Sequence, residues 1–175
     1  MEHPFHLMIA NSIQAQVQFL EWPANYVVHF GLDCGGLDEN QLFCVDEKSN
    51  VTRFSKPDIL ITRDRELKVI VEIEESGESN QAPVKINGKL MNAICSCCYQ
   101  DGELKDVWFV QVIQTAIETK KQQCQYIQQK ARELLPLGPV INYQIFAATQ
   151  QDYLHEGEEK FLKHIEEALQ STATR

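Results

Sequence analysis

Apolar residues recur at helical spacing along the first stretch of the chain. Phe5, Met8, Ile9, Ile13, Val17 and Leu20 share one face and Pro4 suits a first turn, so a helix is predicted from about Pro4 to Leu20, ended by Trp22-Pro23. Asn25 to Phe30 is rich in β-branched and aromatic residues and predicts a strand. Gly31 to Asn40, with Gly35-Gly36 and several acids, reads as a loop, and Leu42 to Val45 as a short strand. Two clearer strands follow, Asp58 to Thr62 and Leu67 to Glu74; the short charged link between them predicts an antiparallel hairpin. After a polar loop, Pro83 opens a helix running to about Tyr99, with Val84, Ile86, Leu90, Met91 and Ile94 as its apolar set and Asp101-Gly102 as its break. Val107 to Ile113 is almost continuously apolar and predicts a central strand. A helix from Thr115 to Leu134 follows, with Ile117, Cys124, Ile127, Ala131 and Leu134 as its buried stripe and Pro136 and Gly138 as its stop. A strand from Val140 to Ala148 comes next. An amphipathic helix from Glu158 to Leu169 closes the chain, with Phe161, Leu162, Ile165 and Leu169 on one face. This order predicts an α/β fold, a mixed central β-sheet flanked by helices, in a single domain over residues 1–175.

Composition narrows the class. At 43% hydrophobic and 23% charged residues the chain has the makeup of a globular protein, not a disordered one. No apolar run approaches the roughly 20 residues of a membrane span. Met1-Glu2-His3-Pro4 shows no basic stretch followed by an apolar one, so no signal peptide and a cytoplasmic location are expected. The six cysteines are then read as reduced thiols. Cys95-Ser96-Cys97-Cys98 continues an apolar helical run and reads as core packing in preference to zinc, whose usual spacing needs a second ligand pair elsewhere. The histidines His3, His6, His29, His155 and His164 form no close ligand motif and read as surface or satisfied core residues. No local signature supports a Cys-His protease. A GxxxxGK(S/T) phosphate loop is missing, which disfavours nucleoside-triphosphate chemistry.

The informative stretch is Lys56-Pro57-Asp58-Ile59-Leu60-Ile61, followed by Val69-Ile70-Val71-Glu72-Ile73-Glu74. Strand alternation puts Glu72 and Glu74 on one face, with Val71 and Ile73 turned into the core. A hairpin can bring Asp58 beside Glu72. Converging carboxylates repel, so they must take up protons or a cation, and hard oxygen donors suit Mg2+ or Mn2+. Lys85 and Lys89, four apart, share a face of the following helix, with Gly88 between them expected to allow close approach. Either lysine could polarise water or stabilise a transition state. The competing reading is an edge hairpin with solvent-facing acids.

These residues resemble the PD-(D/E)XK nuclease superfamily, the restriction-endonuclease-like fold, whose core is helix, three strands, helix, strand. The resemblance covers about Pro4 to Ile113. It implies that Asp58, Glu72 and the backbone carbonyl of Ile73 bind the metal. The third motif position is usually lysine; here it is Glu74, and Lys89 or Lys85 is a candidate for a lysine displaced onto the next helix. An acid on the first helix is common in the family, and Glu21 is the nearest one. The expected activity is a Mg2+-dependent endonuclease acting on DNA, of restriction, repair or defence type. Glu74 would orient or deprotonate the attacking water, and a lysine would neutralise the transition state. The partner is then a nucleic acid, DNA first, with dimerisation across a palindrome as one route to specificity. Two other classes compete: a catalytically inactive domain of this fold serving as a binding or assembly module, and a metal-dependent hydrolase of small phosphate esters.

For nucleic acid, the helix from Thr115 offers Lys120, Lys121, Gln125, Lys130 and Arg132; lysines suit phosphates and glutamines suit base edges. The bland alternative is a solvated helix face. A second basic group, Arg53, Lys56, Arg63, Arg65 and Lys68, is expected near the hairpin site. The formal net charge of −9 weighs against a nucleic-acid partner only until its distribution is considered, since many acids lie in the Asp33 to Glu47 loop, the last helix and the proposed metal site.

Overall fold

The structure, a computed structural model, describes residues 3–19, 25–45, 50–100 and 102–171. The expectations placed on Leu20, Glu21, Trp22-Pro23 and Asp101 lie outside the described residues. Helix α1 (Pro4–Phe19) leads into strand β1 (Tyr26–Phe30), then the short pair β2 (Leu42–Val45) and β3 (Val51–Ser55). The hairpin β4 (Ile59–Arg63) and β5 (Glu66–Glu74) precedes helix α2 (Ala82–Cys95). Two-residue strands β6 (Cys98–Tyr99) and β7 (Gly102–Glu103) then precede β8 (Val107–Gln114), α3 (Glu118–Ala131) and β9 (Val140–Ala148). The short α4 (Gln150–Asp152) runs through a π-helical turn into α5 (Glu158–Gln170).

The main sheet has five strands in the order β1-β4-β5-β8-β9. Its first half is an antiparallel meander, and β8 and β9 then run parallel to β5. That is the α/β class with a mixed central sheet flanked by helices. The sheet is covered on both faces. Phe5, Ile9 and Ile13 of α1 and Phe161, Ile165 and Leu169 of α5 pack on Ile59, Ile61, Val69, Val71 and Ile73. On the other face Ile86, Leu90 and Ile94 of α2 and Cys124 and Ala131 of α3 pack on Leu60, Ile70, Phe109 and Tyr143. The hairpin turn is tighter than predicted: Asp64 and Arg65 alone form it, with φ of 52° and 66°, and Arg63 pairs with Glu66. Two positive-φ residues are what a right-twisted hairpin needs at a two-residue turn.

Three expectations need correction. Helix α2 stops at Cys95, not near Tyr99, because Ser96 turns extended and Cys97 N–H donates to the Phe43 carbonyl at 2.9 Å, drawing the chain into a second, four-stranded sheet of order β3-β2-β6-β7. Cys95 and Cys97 are therefore exposed and Cys98 half-buried, where core packing was expected. Val84 (73% exposed) and Met91 also leave the predicted apolar stripe of α2, while Ile117 and Leu134 fall outside α3 and are exposed. The narrower stripes are enough, since each helix covers only one side of a sheet face.

Candidate metal centre

Strand alternation turns Glu72 and Glu74 toward α2, while their neighbours Val71 and Ile73 pack under α1 and α5. Both carboxylates are buried, because α2 closes that face. Ile59 pairs with Val71, so one step further out Asp58 stands across from Glu72. Asp58 is fixed from several sides. Its Oδ2 accepts from the Ile73 amide at 2.6 Å. Its carbonyl accepts from Gly31 N–H at 2.7 Å and from Asn40 Nδ2 at 3.3 Å. A Cβ on Gly31 would stand 2.9 Å from that carbonyl oxygen, so the approach requires glycine. The predicted loop Gly31 to Asn40 thus braces the motif aspartate.

Lys89 reaches the same point from α2. Its Nζ lies 2.9 Å from Glu72 Oε2, 3.5 Å from Asp58 Oδ2 and 3.0 Å from the carbonyl oxygen of Ile73. The three groups expected to bind metal thus surround a single ammonium. Lys85 stays outside this cage: its Nζ meets Ser76 Oγ at 2.7 Å and Glu74 Oε1 at 3.4 Å. Glu74 is also held by the Ser76 amide at 2.9 Å and by the Ser76 hydroxyl. Gly88 plays no part in the approach of α2, since a Cβ there would meet nothing within 4 Å.

Electrostatics follow from this packing. Burial, offset in part by Lys89 and reinforced by Asp58, pushes the Glu72 carboxyl up to about 8. Burial also opposes the Asp58 charge, but the His6 imidazole, Lys89 and the Ile73 amide together hold it below the usual carboxylate range. Glu74 likewise stays low despite burial, through Ser76 and the two lysines. Lys89 is desolvated, yet Glu72 and Asp58 raise its affinity for the proton, so it is the resident cation. Two carboxylates and a peptide carbonyl around one cation form an all-oxygen donor set, and a hard divalent ion that keeps several waters fits that chemistry.

On the far side of Asp58 lies a group that the sequence reading did not single out. His6 Nε2 is 3.5 Å from Asp58 Oδ1, and His6 Nδ1 is 3.2 Å from Glu75 Oε1. Glu75 also accepts the Phe5 and His6 amides at 2.7 and 3.1 Å, capping α1 from the end of β5. His3 joins it, with Nδ1 3.3 Å from Glu75 Oε2. His6, expected on the surface or satisfied in the core, is buried and faces two carboxylates, which raise its proton affinity against the effect of burial. The available signal was the i, i+3 histidine pair beside Pro4.

The predicted nucleic-acid residues of α3 are spread along the helix and just past it. Lys120 and Lys121 lie at the end of α3 nearest the site; Lys120 Nζ donates to the Ser79 carbonyl at 3.4 Å and Lys121 pairs with Asp152 at 3.6 Å. Gln125 is exposed mid-helix. Lys130, paired with Glu133 at 2.9 Å, and Arg132, just past the helix, stand roughly 15 Å or more further along the axis. The second basic group is divided, with Lys56 two residues before Asp58 and the hairpin residues at the far end of the strands. Arg63, Arg65 and Lys68 sit at the turn end of the hairpin, and Arg65 is roughly 20 Å of strand from Glu72. Arg53 and Lys56 pair with Glu39.

Among the described residues no helix is long and apolar enough to cross a membrane. Compared with known proteins, the chain matches no family model, and no curated protein or solved structure is significantly similar to it.

Proposed function

We propose that this chain is a divalent-metal-dependent phosphodiester hydrolase, an endonuclease acting on DNA, built on a restriction-endonuclease-like core. The observation that carries the reading is the convergence of Asp58, Glu72 and the Ile73 carbonyl on one cation position. The chain order supports it: α1, the meander β1-β4-β5, α2, and then β8 parallel to β5 follow the helix, three strands, helix, strand pattern of the PD-(D/E)XK proteins.

In this reading Asp58, Glu72 and the Ile73 carbonyl hold Mg2+ or Mn2+. The ion, when bound, supplies Lewis acidity to a phosphate oxygen and lowers the pKa of water. With an ion in that position Lys89 would have to leave the cage, and its ammonium would meet the charge that develops on the scissile phosphate. It takes the role of the motif lysine that Glu74 replaces. Glu74, held anionic by Ser76 and Lys85, orients the attacking water. Lys120 and Lys121, at the near end of α3, are the phosphate contacts best placed to steer a strand toward the cage, with Gln125 next along the helix.

One observation favours a second reading, a catalytically inactive domain of this fold that binds or assembles. Lys89 already compensates the carboxylates, so the cage is electrostatically satisfied without an ion. Cleavage of plasmid and oligonucleotide DNA in Mg2+ and Mn2+ separates the two. The hydrolase reading expects wild-type cleavage that Asp58→Ala and Glu72→Ala abolish while the fold is kept. Equal activity in wild type and Asp58→Ala, or none in either, rules it out.

A further inference from the structure

We infer that His3, His6 and Glu75 form a second metal site, a centre of two imidazoles and one carboxylate suited to a borderline divalent ion such as Zn2+. Ligand atoms of the three residues lie within 4.8 Å of one another. Both imidazoles turn the same nitrogen to the carboxylate: His6 Nδ1 is 3.2 Å from Glu75 Oε1 and His3 Nδ1 is 3.3 Å from Glu75 Oε2. A tetrahedral ion about 2.0–2.1 Å from its ligands separates them by roughly 3.3 Å, the spacing of each imidazole nitrogen from the carboxylate oxygen it faces.

Two further observations point to a ligand. The His6 side chain is only 8% exposed, and its Nδ1, though close to Glu75, is not directed for a hydrogen bond and has no other partner among the described residues. A buried ring nitrogen that makes no hydrogen bond is costly unless a ligand engages it. The other nitrogen of each ring faces an aspartate: His6 Nε2 lies 3.5 Å from Asp58 Oδ1 and His3 Nε2 lies 3.8 Å from Asp33 Oδ1. A carboxylate behind each metal-binding imidazole fixes its tautomer and raises its basicity. His3 is 31% exposed, which leaves an open side for entry and for a water as fourth ligand. The positive end of α1 opposes a cation here, but Glu75 already neutralises it by accepting two of its amides. None of Asp58, Glu72 and the Ile73 carbonyl is a ligand in this centre, so it does not depend on the hydrolase reading.

Co2+ titration of the metal-free full chain, followed by visible absorption and competed with Zn2+, tests this. Wild type is expected to bind one tight equivalent, with the d–d bands of a low-coordinate site and no thiolate charge-transfer band. His3→Gln, which changes a partly solvated side chain and should leave the circular dichroism unaltered, is expected to weaken binding on the order of 100-fold, the top of the range for losing an outer-shell partner or beyond it. Glu72→Gln is expected to keep the bands. Absence of binding in wild type, bands that survive His3→Gln, a thiolate band, or bands lost in Glu72→Gln would each overturn the assignment, the last by placing the ion in the oxygen cage.

Discussion

Lys89 Nζ sits 2.9 Å from Glu72 Oε2, so the most deeply buried acid of the candidate site is matched by a cation from the helix that buries it. The pairing is set by two periodicities. Glu72 faces α2 because the strand alternates, and Lys89 faces the sheet because it lies one turn beyond Ile86 and one residue before Leu90, both buried. This contact therefore belongs to the docking of α2 as much as to any chemistry.

Removing that cation leaves Asp58 and Glu72 facing each other across the hairpin. Lys89→Ala is expected to lower stability by about 2 kcal/mol, less than the roughly 3–5 kcal/mol of a fully buried broken pair because the lysine is partly solvated. Mn2+ should restore more thermal stability to this variant than it adds to wild type. Melting curves with and without Mn2+ decide it; an equal gain in both proteins contradicts the shared cation position.

Metal binding at the cage should strengthen as pH rises. Glu72 holds a proton up to about 8, and an incoming divalent ion must displace it. Below that value each pH unit should cost about tenfold in affinity, as one-proton linkage requires, and above it the dependence should flatten. Mn2+ dissociation constants between pH 6.5 and 9 test this, and a flat profile would falsify the burial-driven shift.

Much of this site was legible in the chain. Asp58 and the Glu72-Ile73-Glu74 run declare themselves because strand alternation and hairpin pairing are local rules, acting over about fifteen residues. The choice of Lys89 over Lys85 was not legible, since both share a helix face and only the rotation of α2 on the sheet separates them. His6 and Glu75 escaped for a different reason: they meet across 69 residues of chain, and no local pattern encodes the packing of α1 against the end of β5. The short strands β3, β6 and β7 were missed because they exist through pairing, β3 and β6 with β2 and β7 with β6, not through their own composition.

A buried polar pair supports α2 from beneath. Tyr143 donates its hydroxyl to Gln111 Oε1, and Gln111 Nε2 donates to the Ile86 carbonyl at 3.3 Å, one turn before Lys89. Gln111 also stands beside Glu72 on the parallel strand β8. Gln111→Leu and Tyr143→Phe should each cost about 1–3 kcal/mol by stranding a buried group, and the double variant should cost clearly less than their sum. Chemical denaturation of the four proteins closes the cycle, and strict additivity is the result that excludes the coupling.

His164 should make the protein acid-sensitive. It packs against Trp108 at a ring separation of 4.8 Å and against Phe146 at 5.9 Å, and its buried Nε2 has no hydrogen-bond partner among the described residues. Burial lowers its affinity for a proton, with Glu167 only partly offsetting this. Above about pH 6.5 both folded and unfolded forms are neutral at this ring and no penalty arises. As pH falls through 6.5 the unfolded chain takes up a proton that the folded protein accepts only at lower pH, so stability drops until the folded ring also titrates. His164→Phe keeps the aromatic packing and removes the titration. The variant is expected to match wild type within about 1 kcal/mol at pH 7.5 and to gain on it steadily toward pH 5. Urea denaturation at the two pH values reads the difference directly. A constant gap between the proteins would show that His164 titrates in the folded state as it does in the unfolded one.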